Sequence, residues 1–309
     1  TYKMVTALAA LESKAIEPWT RLPCAGHLEL GNIKFHCWLK GGHGSTNVVE
    51  AIAQSCDCFF YEAARRAGVD RIADVAGRLG FGRQSDLGLP GESAGIQPSR
   101  AWKQDKLSKP WQHGDTFNLG IGQGYMTATP LQLAVMTARL ANGGYEVQPN
   151  LLLASATPRE ELAPPAARDK PTAPSMRFNP YHLSLIREGM VQVVQSGTAN
   201  QLRRDAKGKL IEPALRFAGK TGTAQVKRIT EYERAMGITQ AQLPWHLRHH
   251  ALFVCFGPVD KPRYACAVII EHGMAGGATA GPIGRDVLVE TMKRDPSRNT
   301  DRFRKMASR

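Results

Sequence analysis

A short stretch rich in glycine and threonine near residue 220 carries the sharpest chemical signal in the sequence. It reads Phe217-Ala218-Gly219-Lys220-Thr221-Gly222-Thr223-Ala224. The run from Gly219 to Thr221 matches the end of a phosphate-binding loop, but such a loop needs a glycine five residues before Gly219, where Ala214 stands. It also needs a helix to follow, and the residues after Thr223 favour a strand. The phosphate-binding interpretation therefore fails on both requirements.

The same stretch fits a strand found in the serine acyltransferases that penicillins inactivate. On such a strand Lys220 supplies a fixed positive charge, and the hydroxyls of Thr221 and Thr223 can bind a terminal carboxylate. Gly222 lets a substrate backbone approach closely, because glycine has no side chain. A four-residue match is weak by itself, so the assignment depends on the rest of the chain.

Further motifs occur in the order that this kind of enzyme requires. Ser55-Cys56-Asp57 stands at a break between two predicted helices, where the family has Ser-x-Asn or its variant Ser-x-Asp. Gly120-Ile121-Gly122-Gln123-Gly124 lies between that motif and Lys220, and Thr1-Tyr2-Lys3 opens the chain. Together these motifs resemble the transpeptidase domain of class B penicillin-binding proteins.

The resemblance is greatest to the cell-elongation group, penicillin-binding protein 2. Additional matches are Gly42-His43-Gly44, Trp102-Lys103, Lys109-Pro110-Trp111 and Gln225-Val226. The resemblance implies an α+β (mixed α/β) fold shared with serine β-lactamases, in which an antiparallel sheet packs against helices beside an all-helical subregion. We expect this transpeptidase domain to span residues 1–293 and a basic, disordered tail to follow over residues 294–309.

The nucleophile of this family is the serine of a Ser-x-x-Lys motif, and Thr1-Tyr2-Lys3 matches only its last three residues. The resemblance therefore places the nucleophile one position before Thr1. Either the chain was cut at that point, or the serine is chemically modified, for example acylated by a drug, and so missing from the sequence. We favour the modified serine.

The resemblance also implies roles for the motif residues. The serine would attack the penultimate D-Ala carbonyl of a peptidoglycan stem peptide to form an acyl-enzyme, and an amine of a neighbouring stem peptide would complete the cross-link. Lys3 would take the serine proton, and Ser55 would relay it to the leaving amine. Asp57 would anchor Lys3 or Ser55, with its charge offset by Lys220. Backbone N–H groups of the serine and Thr223 would form the oxyanion hole.

Six cysteines, at positions 24, 37, 56, 58, 255 and 266, could form disulfides or bind a metal. Cys24, Cys37, His43 and Cys56 make up a Cys₃His set, which is a closed ligand set for structural zinc. Their spacing is not a standard zinc signature, but relatives of penicillin-binding protein 2 carry zinc in this region, and the chain resembles them at His43 and Cys56. We expect zinc here, with a disulfide between two of the three cysteines as the main alternative.

The elements that position these residues are predicted from hydrophobic spacing and capping signals. Apolar residues three to four apart predict helices over residues 1–12, 59–67, 70–79, 129–141, 181–194 and 282–293. Asn47 and Glu50 predict a capping box that begins one more helix. Strands are predicted over residues 217–226, 252–256 and 264–270, the last two as a hairpin whose Cys255 and Cys266 are expected in the core. We expect irregular structure over residues 16–44 and 81–114, and a short strand with an exposed excursion over residues 149–180.

The composition limits the remaining functions. The chain has 309 residues, with 40 Lys and Arg against 27 Asp and Glu and a formal net charge of +13. Nucleic acid attracts such a charge, but no nucleic-acid-binding motif occurs, so we do not expect that partner. No run approaches the ~18 apolar residues of a membrane span. An N-terminal anchor, a place on the periplasmic face of the inner membrane, and a membrane-embedded glycan polymerase as partner are therefore implied by the resemblance alone.

The function that these observations favour is a peptidoglycan D,D-transpeptidase of cell elongation, a target of β-lactams. A D,D-carboxypeptidase and a β-lactam-binding sensor share the fold and remain alternatives, because the choice depends on whether an amine or water reaches the acyl-enzyme. A class A β-lactamase would need a glutamate that activates water, and no segment supplies one. A non-catalytic scaffold is expected if the residue before Thr1 is not serine.

Overall fold

The fold combines helices with small antiparallel sheets over residues 1–151 and 173–295, the part of the chain that the computed structural model describes. The helices are α1 (Lys3–Glu12), α2 (Val48–Gln54), α3 (Asp57–Ala67), α4 (Val69–Leu79), α5 (Arg100–Leu107), α6 (His113–Gly120), α7 (Pro130–Ala141), α8 (Pro180–Gln195), α9 (Glu231–Ala235) and α10 (Gly281–Arg294). The strands are β1 (Leu22–Cys24), β2 (His27–Leu30), β3 (Ile33–His36), β4 (Gly44–Thr46), β5 (Ala218–Ala224), β6 (His250–Gly257) and β7 (Tyr264–Ile270). The predicted α+β architecture is confirmed.

The largest sheet consists of β5, β6 and β7, paired antiparallel in that order. All three strands fall where the sequence predicts them, and β6 and β7 form the predicted hairpin. Helix α8 contacts β5, while α10 packs against β6 and β7. Cys255 is fully buried and stands directly opposite the half-buried Cys266, and both thiols are free. Because β5 has a strand on only one side in the described part of the chain, its other edge is open to a ligand or a side chain.

Helix α1 is enclosed by protein. Every residue from Lys3 to Leu11 is buried, and α3, α4 and α8 surround the helix. Its alanine-rich sequence suits this position, because small side chains let neighbouring helices approach while alanine keeps a high helix propensity. The enclosure fixes the direction in which Lys3 leaves the first turn.

A tight bend separates α2 from α3 and replaces what could have been one long helix. The predicted capping box of Asn47 and Glu50 is present at the start of α2. Ser55 then adopts a left-handed backbone conformation, with φ 55° and ψ 42°, and α3 begins two residues later at Asp57. The bend turns the Ser55-Cys56-Asp57 segment towards the first turn of α1.

Two regions that we expected to be irregular contain regular elements. Residues 16–44 include the strands β1, β2 and β3, and β4 begins at Gly44, so two separate hairpin-like pairs form, β1 with β4 and β2 with β3. These strands are only three or four residues long, which is too short for an alternating pattern to stand out. Residues 81–114 contain α5 and the start of α6. Helix α5 buries only Lys103, so it shows almost no apolar periodicity.

Part of the sequence-based expectation falls on residues outside the described ranges. This holds for most of the excursion over residues 149–180 and for most of the basic tail over residues 294–309. In the described ranges, no helix combines the length and apolar character that crossing a membrane requires.

Candidate active site and cysteine cluster

Lys3, Ser55 and Asp57 form a hydrogen-bonded cluster at the bend between α2 and α3. Lys3 Nζ donates to Asp57 Oδ1 at 2.6 Å, to the Ser55 carbonyl at 2.8 Å and to Ser55 Oγ at 3.1 Å. The Lys3 side chain is 8% exposed and that of Asp57 13%, so this ion pair is largely shielded from solvent. The three residues predicted from separate motifs therefore meet in one place, with the lysine amine in direct contact with the serine hydroxyl.

The backbone of Ser55 is unusual for a residue with a side chain. A left-handed conformation favours glycine and costs other residues about 1–3 kcal/mol when the surroundings impose it. The position just after a helix is commonly glycine for this reason. Serine at this strained position places its hydroxyl 3.1 Å from Lys3 Nζ, which indicates that the hydroxyl is needed there.

Lys220, on β5, lies near enough to Lys3 and Asp57 for their charges to act on its amine. It is fully buried and donates to the Thr221 carbonyl at 3.1 Å. Burial holds the pKa of the Lys220 amine well below its ordinary value; the positive charge of Lys3 lowers it further, while Asp57 acts in the opposite direction. The mutual influence of Lys3, Lys220 and Asp57 places all three side chains in one electrostatic environment.

The two sides of β5 have different tasks. Side chains alternate along a strand, so Lys220 and Gly222 face one way and Thr221 and Thr223 the other. The hydroxyls of Thr221 and Thr198 lie 2.9 Å apart. This contact fixes the Thr221 hydroxyl, which is one of the two predicted carboxylate-binding groups. The Thr223 side chain, which is the other, is exposed.

The reason for glycine at position 222 differs from the one expected. A Cβ atom there would lie 3.0 Å from Thr1 Cγ2 and 3.1 Å from the Thr1 nitrogen. Gly222 thus makes room for the start of the chain before α1, rather than only for an approaching substrate backbone. The Thr1 nitrogen itself therefore lies beside β5, where the charges of Lys220 and Lys3 both act on it.

The four residues predicted to hold a metal come together near this site. One ligand atom from each of Cys24, Cys37, His43 and Cys56 lies within 4.8 Å of the other three. His43 Nδ1 is 3.6 Å from Cys24 Sγ and 3.5 Å from Cys37 Sγ. With Zn–S about 2.3 Å and Zn–N about 2.0–2.1 Å, the S···N edge of a zinc tetrahedron is about 3.5 Å. The arrangement therefore fits zinc.

The protonation of the cysteine cluster differs from one member to the next. Hydrogen bonds from the thiols of Cys56 and then Cys58 hold the pKa of Cys37 far below its usual range, whereas the same contact with Cys37, together with burial, raises the pKa of the Cys56 thiol. His43 Nε2 is buried and lacks a hydrogen-bond partner in the described ranges, so this ring is oriented through its Nδ1 side. All six cysteines are free thiols, as a metal site requires.

Trp38 connects the cysteine cluster to the cluster of Lys3, Ser55 and Asp57. It follows Cys37 directly, and its backbone N–H donates to Asp57 Oδ2 at 2.8 Å. Its indole N–H donates to the Gln54 carbonyl at 3.0 Å, at the end of α2. Cys56 itself stands between Ser55 and Asp57 in the chain. The loop that holds the cysteines is therefore tied to both ends of the bend.

Sequence reasoning missed the part that Trp38 and Gln123 play in this site. The contact of Trp38 with Asp57 uses its backbone N–H, which every residue except proline possesses, so no sequence signal identifies that contact. Gln123 donates from its side chain to the Thr223 carbonyl at 2.9 Å. The glycines on either side of Gln123 belong to one of the sequence motifs, but that motif does not indicate which strand the Gln123 side chain contacts.

Comparison with known proteins agrees with this geometry. Residues 1–289 match the family model described as "Penicillin binding protein transpeptidase domain". The chain belongs to this family, and the recognition based on its motifs is confirmed.

Individual relatives point to one group within the family. Peptidoglycan D,D-transpeptidase MrdA of Acinetobacter baumannii is 37% identical over 305 residues, which are 96% of this chain and 43% of the relative. MrdA of Escherichia coli is 33% identical over 303 residues, 97% of this chain and 46% of the relative. The chain thus spans less than half the length of these curated relatives.

Solved structures of the same group share the fold. Pseudomonas aeruginosa PBP2 in complex with WCK 5153 matches with a TM-score of 0.75 and 35% identity, over 94% of this chain and 59% of that one. Helicobacter pylori PBP2, solved in complex with MreC, matches with a TM-score of 0.75 and 29% identity, over 94% of this chain and 48% of that one. The predicted similarity to penicillin-binding protein 2 is confirmed.

Proposed function

We propose that this chain is the catalytic domain of a serine-type peptidoglycan D,D-transpeptidase of cell elongation, which β-lactams acylate. The observation that carries the proposal is the convergence of Lys3, Ser55 and Lys220 beside the Thr1 nitrogen. A residue bonded to that nitrogen stands next to a candidate base, a hydroxyl relay and a buried cation. The identities of 33–37% to MrdA proteins support the choice of reaction.

The mechanism assigns one step to each group. A serine preceding Thr1 attacks the penultimate carbonyl of a stem peptide ending in D-Ala-D-Ala, and Lys3 accepts the hydroxyl proton. Ser55 Oγ, 3.1 Å from Lys3 Nζ, passes the proton to the nitrogen of the departing D-Ala. The amine of a second stem peptide then attacks the acyl-enzyme, and the same groups move its proton in the reverse direction.

Charge in this mechanism is handled by three groups. Asp57 holds the Lys3 amine in place through its 2.6 Å contact. Lys220 supplies positive potential from a fully buried position, where a charge acts more strongly than in solution. The backbone N–H groups of the serine and of Thr223 receive the developing oxyanion, and the Thr223 side chain with Thr221 binds the substrate carboxylate.

The setting of the whole protein is inferred from its relatives. We infer an enzyme of the periplasmic face of the bacterial inner membrane, anchored by a segment that precedes this domain. One PBP2 relative was solved with MreC and another within a peptidoglycan synthase complex that coordinates polymerisation and crosslinking. A membrane-embedded glycan polymerase is accordingly the proposed partner.

We further propose that Cys24, Cys37, His43 and Cys56 hold a structural zinc ion. The support is the S···N spacing of 3.5–3.6 Å and the burial of all three sulfurs. The zinc would contribute by fixing the loop between β1 and β4, which otherwise has a small core of its own.

Labelling of the full-length protein that contains this domain tests the enzymatic proposal. A fluorescent penicillin should label it once, and mass spectrometry should place the adduct on a serine directly before Thr1. Replacing that serine by alanine should abolish labelling, and Lys3→Arg should do so while leaving the protein folded, because arginine cannot act as a base near neutral pH. A residue other than serine at this position, or no adduct, would overturn the proposal.

Metal analysis tests the zinc site. Purified protein should hold about one zinc per chain, and Cys37→Ser should reduce it to below about 0.2, given the high affinity of structural sites. Cys266→Ser is the matched control, because Cys266 lies on β7 outside the cluster and should leave the zinc content unchanged. Full zinc content in the Cys37→Ser protein would contradict the assignment.

A further inference from the structure

The side chain of Gln123 pairs with the end of β5 in the way a neighbouring strand would. Its Nε2 donates to the Thr223 carbonyl at 2.9 Å, and its Oε1 accepts from the Gln225 N–H at 3.4 Å. A carboxamide offers the same donor and acceptor as a peptide group, so it can occupy a strand edge without a second strand.

These contacts define which groups of β5 face the open edge. In an antiparallel pair, the N–H and C=O of one residue point to the same side of the strand. The Thr223 carbonyl and the Gln225 N–H both point to Gln123. The backbone N–H and C=O groups of residues 221, 223 and 225 therefore point away from β6. The N–H of Thr223 therefore points to the open edge, which is the direction that an oxyanion donor requires.

Gln123 is itself held rigidly between two other parts of the site. Gly122 and Gly124 both have left-handed backbones, with φ of +77° and +78°. A Cβ on Gly122 would lie 2.5 Å from Tyr2 Cβ, so this glycine packs directly on the residue between Thr1 and Lys3. The Gln123 N–H donates to the Asn118 carbonyl at 2.8 Å, at the end of α6. The turn thus joins the start of α1 to the end of β5.

We propose that Gln123 is a positioning residue for the acylation reaction. It fixes the Thr223 N–H relative to the start of α1, and hence relative to the nucleophile. It also takes up one of the two acceptor positions of the Thr223 carbonyl, beside the edge that a ligand backbone would meet. This inference rests on the transpeptidase function but concerns a residue outside the Lys3–Ser55–Asp57 cluster.

Acylation kinetics of the full-length protein test the role of Gln123. A chromogenic β-lactam gives the non-covalent dissociation constant and the acylation rate constant separately, from the dependence of the rate on concentration. Gln123→Ala should lower the rate constant about 10- to 100-fold, less than the ~10²–10³ typical for losing an oxyanion donor itself, because the Thr223 N–H is still present. The melting temperature should change little.

Two further variants identify the contact responsible. Gln123→Glu keeps the size of the side chain and can accept from the Gln225 N–H, but its carboxylate cannot donate to the Thr223 carbonyl, so it should be as slow as Gln123→Ala. Gln104→Ala removes an exposed glutamine on α5 and should acylate at the wild-type rate. Rate constants for Gln123→Ala and Gln123→Glu within threefold of wild type would overturn the proposal.

Failure of this inference is distinguishable from failure of the proposed function. If the wild-type and Gln104→Ala proteins are acylated and the Gln123 variants react equally fast, the transpeptidase assignment stands and Gln123 has no positioning role. If the wild-type protein is not acylated at all, the enzymatic assignment itself is wrong. A loss confined to the dissociation constant or the melting temperature also contradicts a role in positioning the oxyanion donor.

Discussion

Asp57 joins Lys3 to Trp38 through its two carboxylate oxygens. Oδ1 accepts from Lys3 Nζ at 2.6 Å, and Oδ2 accepts from the Trp38 backbone N–H at 2.8 Å. One side chain therefore sets both the position of the candidate base and the position of the loop that carries Cys37. An acidic residue beside a base favours the charged form of that base. The contribution that we expect from Asp57 is therefore to hold the Lys3 amine in position.

Replacing Asp57 by asparagine should separate these two contacts. An amide has one oxygen, so it cannot accept from Lys3 and Trp38 in the way that a carboxylate does. We expect the acylation rate constant of Asp57→Asn to fall at least tenfold and the free energy of unfolding to fall by about 1.5–3 kcal/mol, the usual worth of a hydrogen bond to a charged group. Stopped-flow acylation and urea unfolding measure the two effects. Wild-type values for both would show that the contacts carry neither role.

Ser55 offers a test in which stability and activity move apart. Ser55→Gly removes the strained Cβ and should match or exceed the wild-type stability by up to about 1 kcal/mol. Ser55→Ala keeps the strain and should be less stable than Ser55→Gly. Both lose the hydroxyl that contacts Lys3, so both should acylate about 10²–10⁴ times more slowly. Thermal unfolding measures the stability of the two variants, and penicillin labelling measures their acylation rates. A Ser55→Gly protein that is acylated at the wild-type rate would exclude Ser55 as the proton relay.

Lys220 should be a destabilising residue that is kept for function. Its amine is fully buried, and the cost of that burial lowers its pKa. Lys220→Met has a similar volume and no charge, so we expect unchanged or increased stability together with an acylation rate at least about a hundredfold lower, since a preorganised charge is lost. A clear loss of stability in Lys220→Met would contradict this account.

The same residue predicts how stability depends on pH. Because the pKa of Lys220 is lower in the folded than in the unfolded chain, the folded state loses its proton first as pH rises, and the unfolded state then binds more protons. Wild-type stability relative to Lys220→Met should therefore increase as pH rises through the lowered pKa towards the ordinary lysine value near 10.5. Urea unfolding of both proteins from neutral pH to about pH 10 measures the difference. A constant difference throughout would argue against the shift.

Removing the proposed zinc ion should slow acylation as well as lower the melting temperature. Cys56 lies between Ser55 and Asp57, and Cys37 precedes the residue that holds Asp57 Oδ2, so loosening the cysteine cluster should displace the Asp57 carboxylate. We expect acylation to be about tenfold slower after chelation, which is the effect typical of losing a group that orients a site indirectly. Acylation should recover when zinc is restored.

The Cys37→Ser protein is the control for chelation. It should be slow from the outset and insensitive to the chelator, whereas a direct effect of the chelator on the enzyme would slow both proteins. If protein without zinc is acylated at the full rate, the cysteine cluster has no role in the acylation reaction.

Motif residues were predictable from sequence, whereas the contacts that organise them were not. Lys3, Ser55, Asp57 and Lys220 belong to short motifs whose chemistry depends on residue type, so their order along the chain was informative. The Trp38 N–H is a backbone group and leaves no trace in the sequence. The contact of Gln123 with β5 depends on two glycines whose left-handed backbones are visible only in the structure.

The difference between local sequence patterns and long-range contacts also explains which helices and strands were predicted. Buried helices such as α1 and the strands of the large sheet have clear apolar patterns, so they were predicted at nearly the right places. Helix α5 was missed because it is mostly exposed, and the strands β1 to β4 because each spans at most two repeats of the alternating pattern. Helix α5 is held by contacts such as the ion pair of Lys103 with Asp115, and the short strands flank the cysteine cluster. Such long-range contacts are not encoded in local spacing.

The enclosure of α1 on all sides restricts how the domain can respond to different reactants. Nine consecutive buried residues leave the N-terminal end of that helix little room to follow a bulky acyl group. Adjustment to leaving groups of different size must then come from the wall that β5 forms, where the Thr223 side chain stands exposed. Differences in reactivity between ligands should accordingly depend on that wall and its plasticity, while the helix provides an unchanging point of attack.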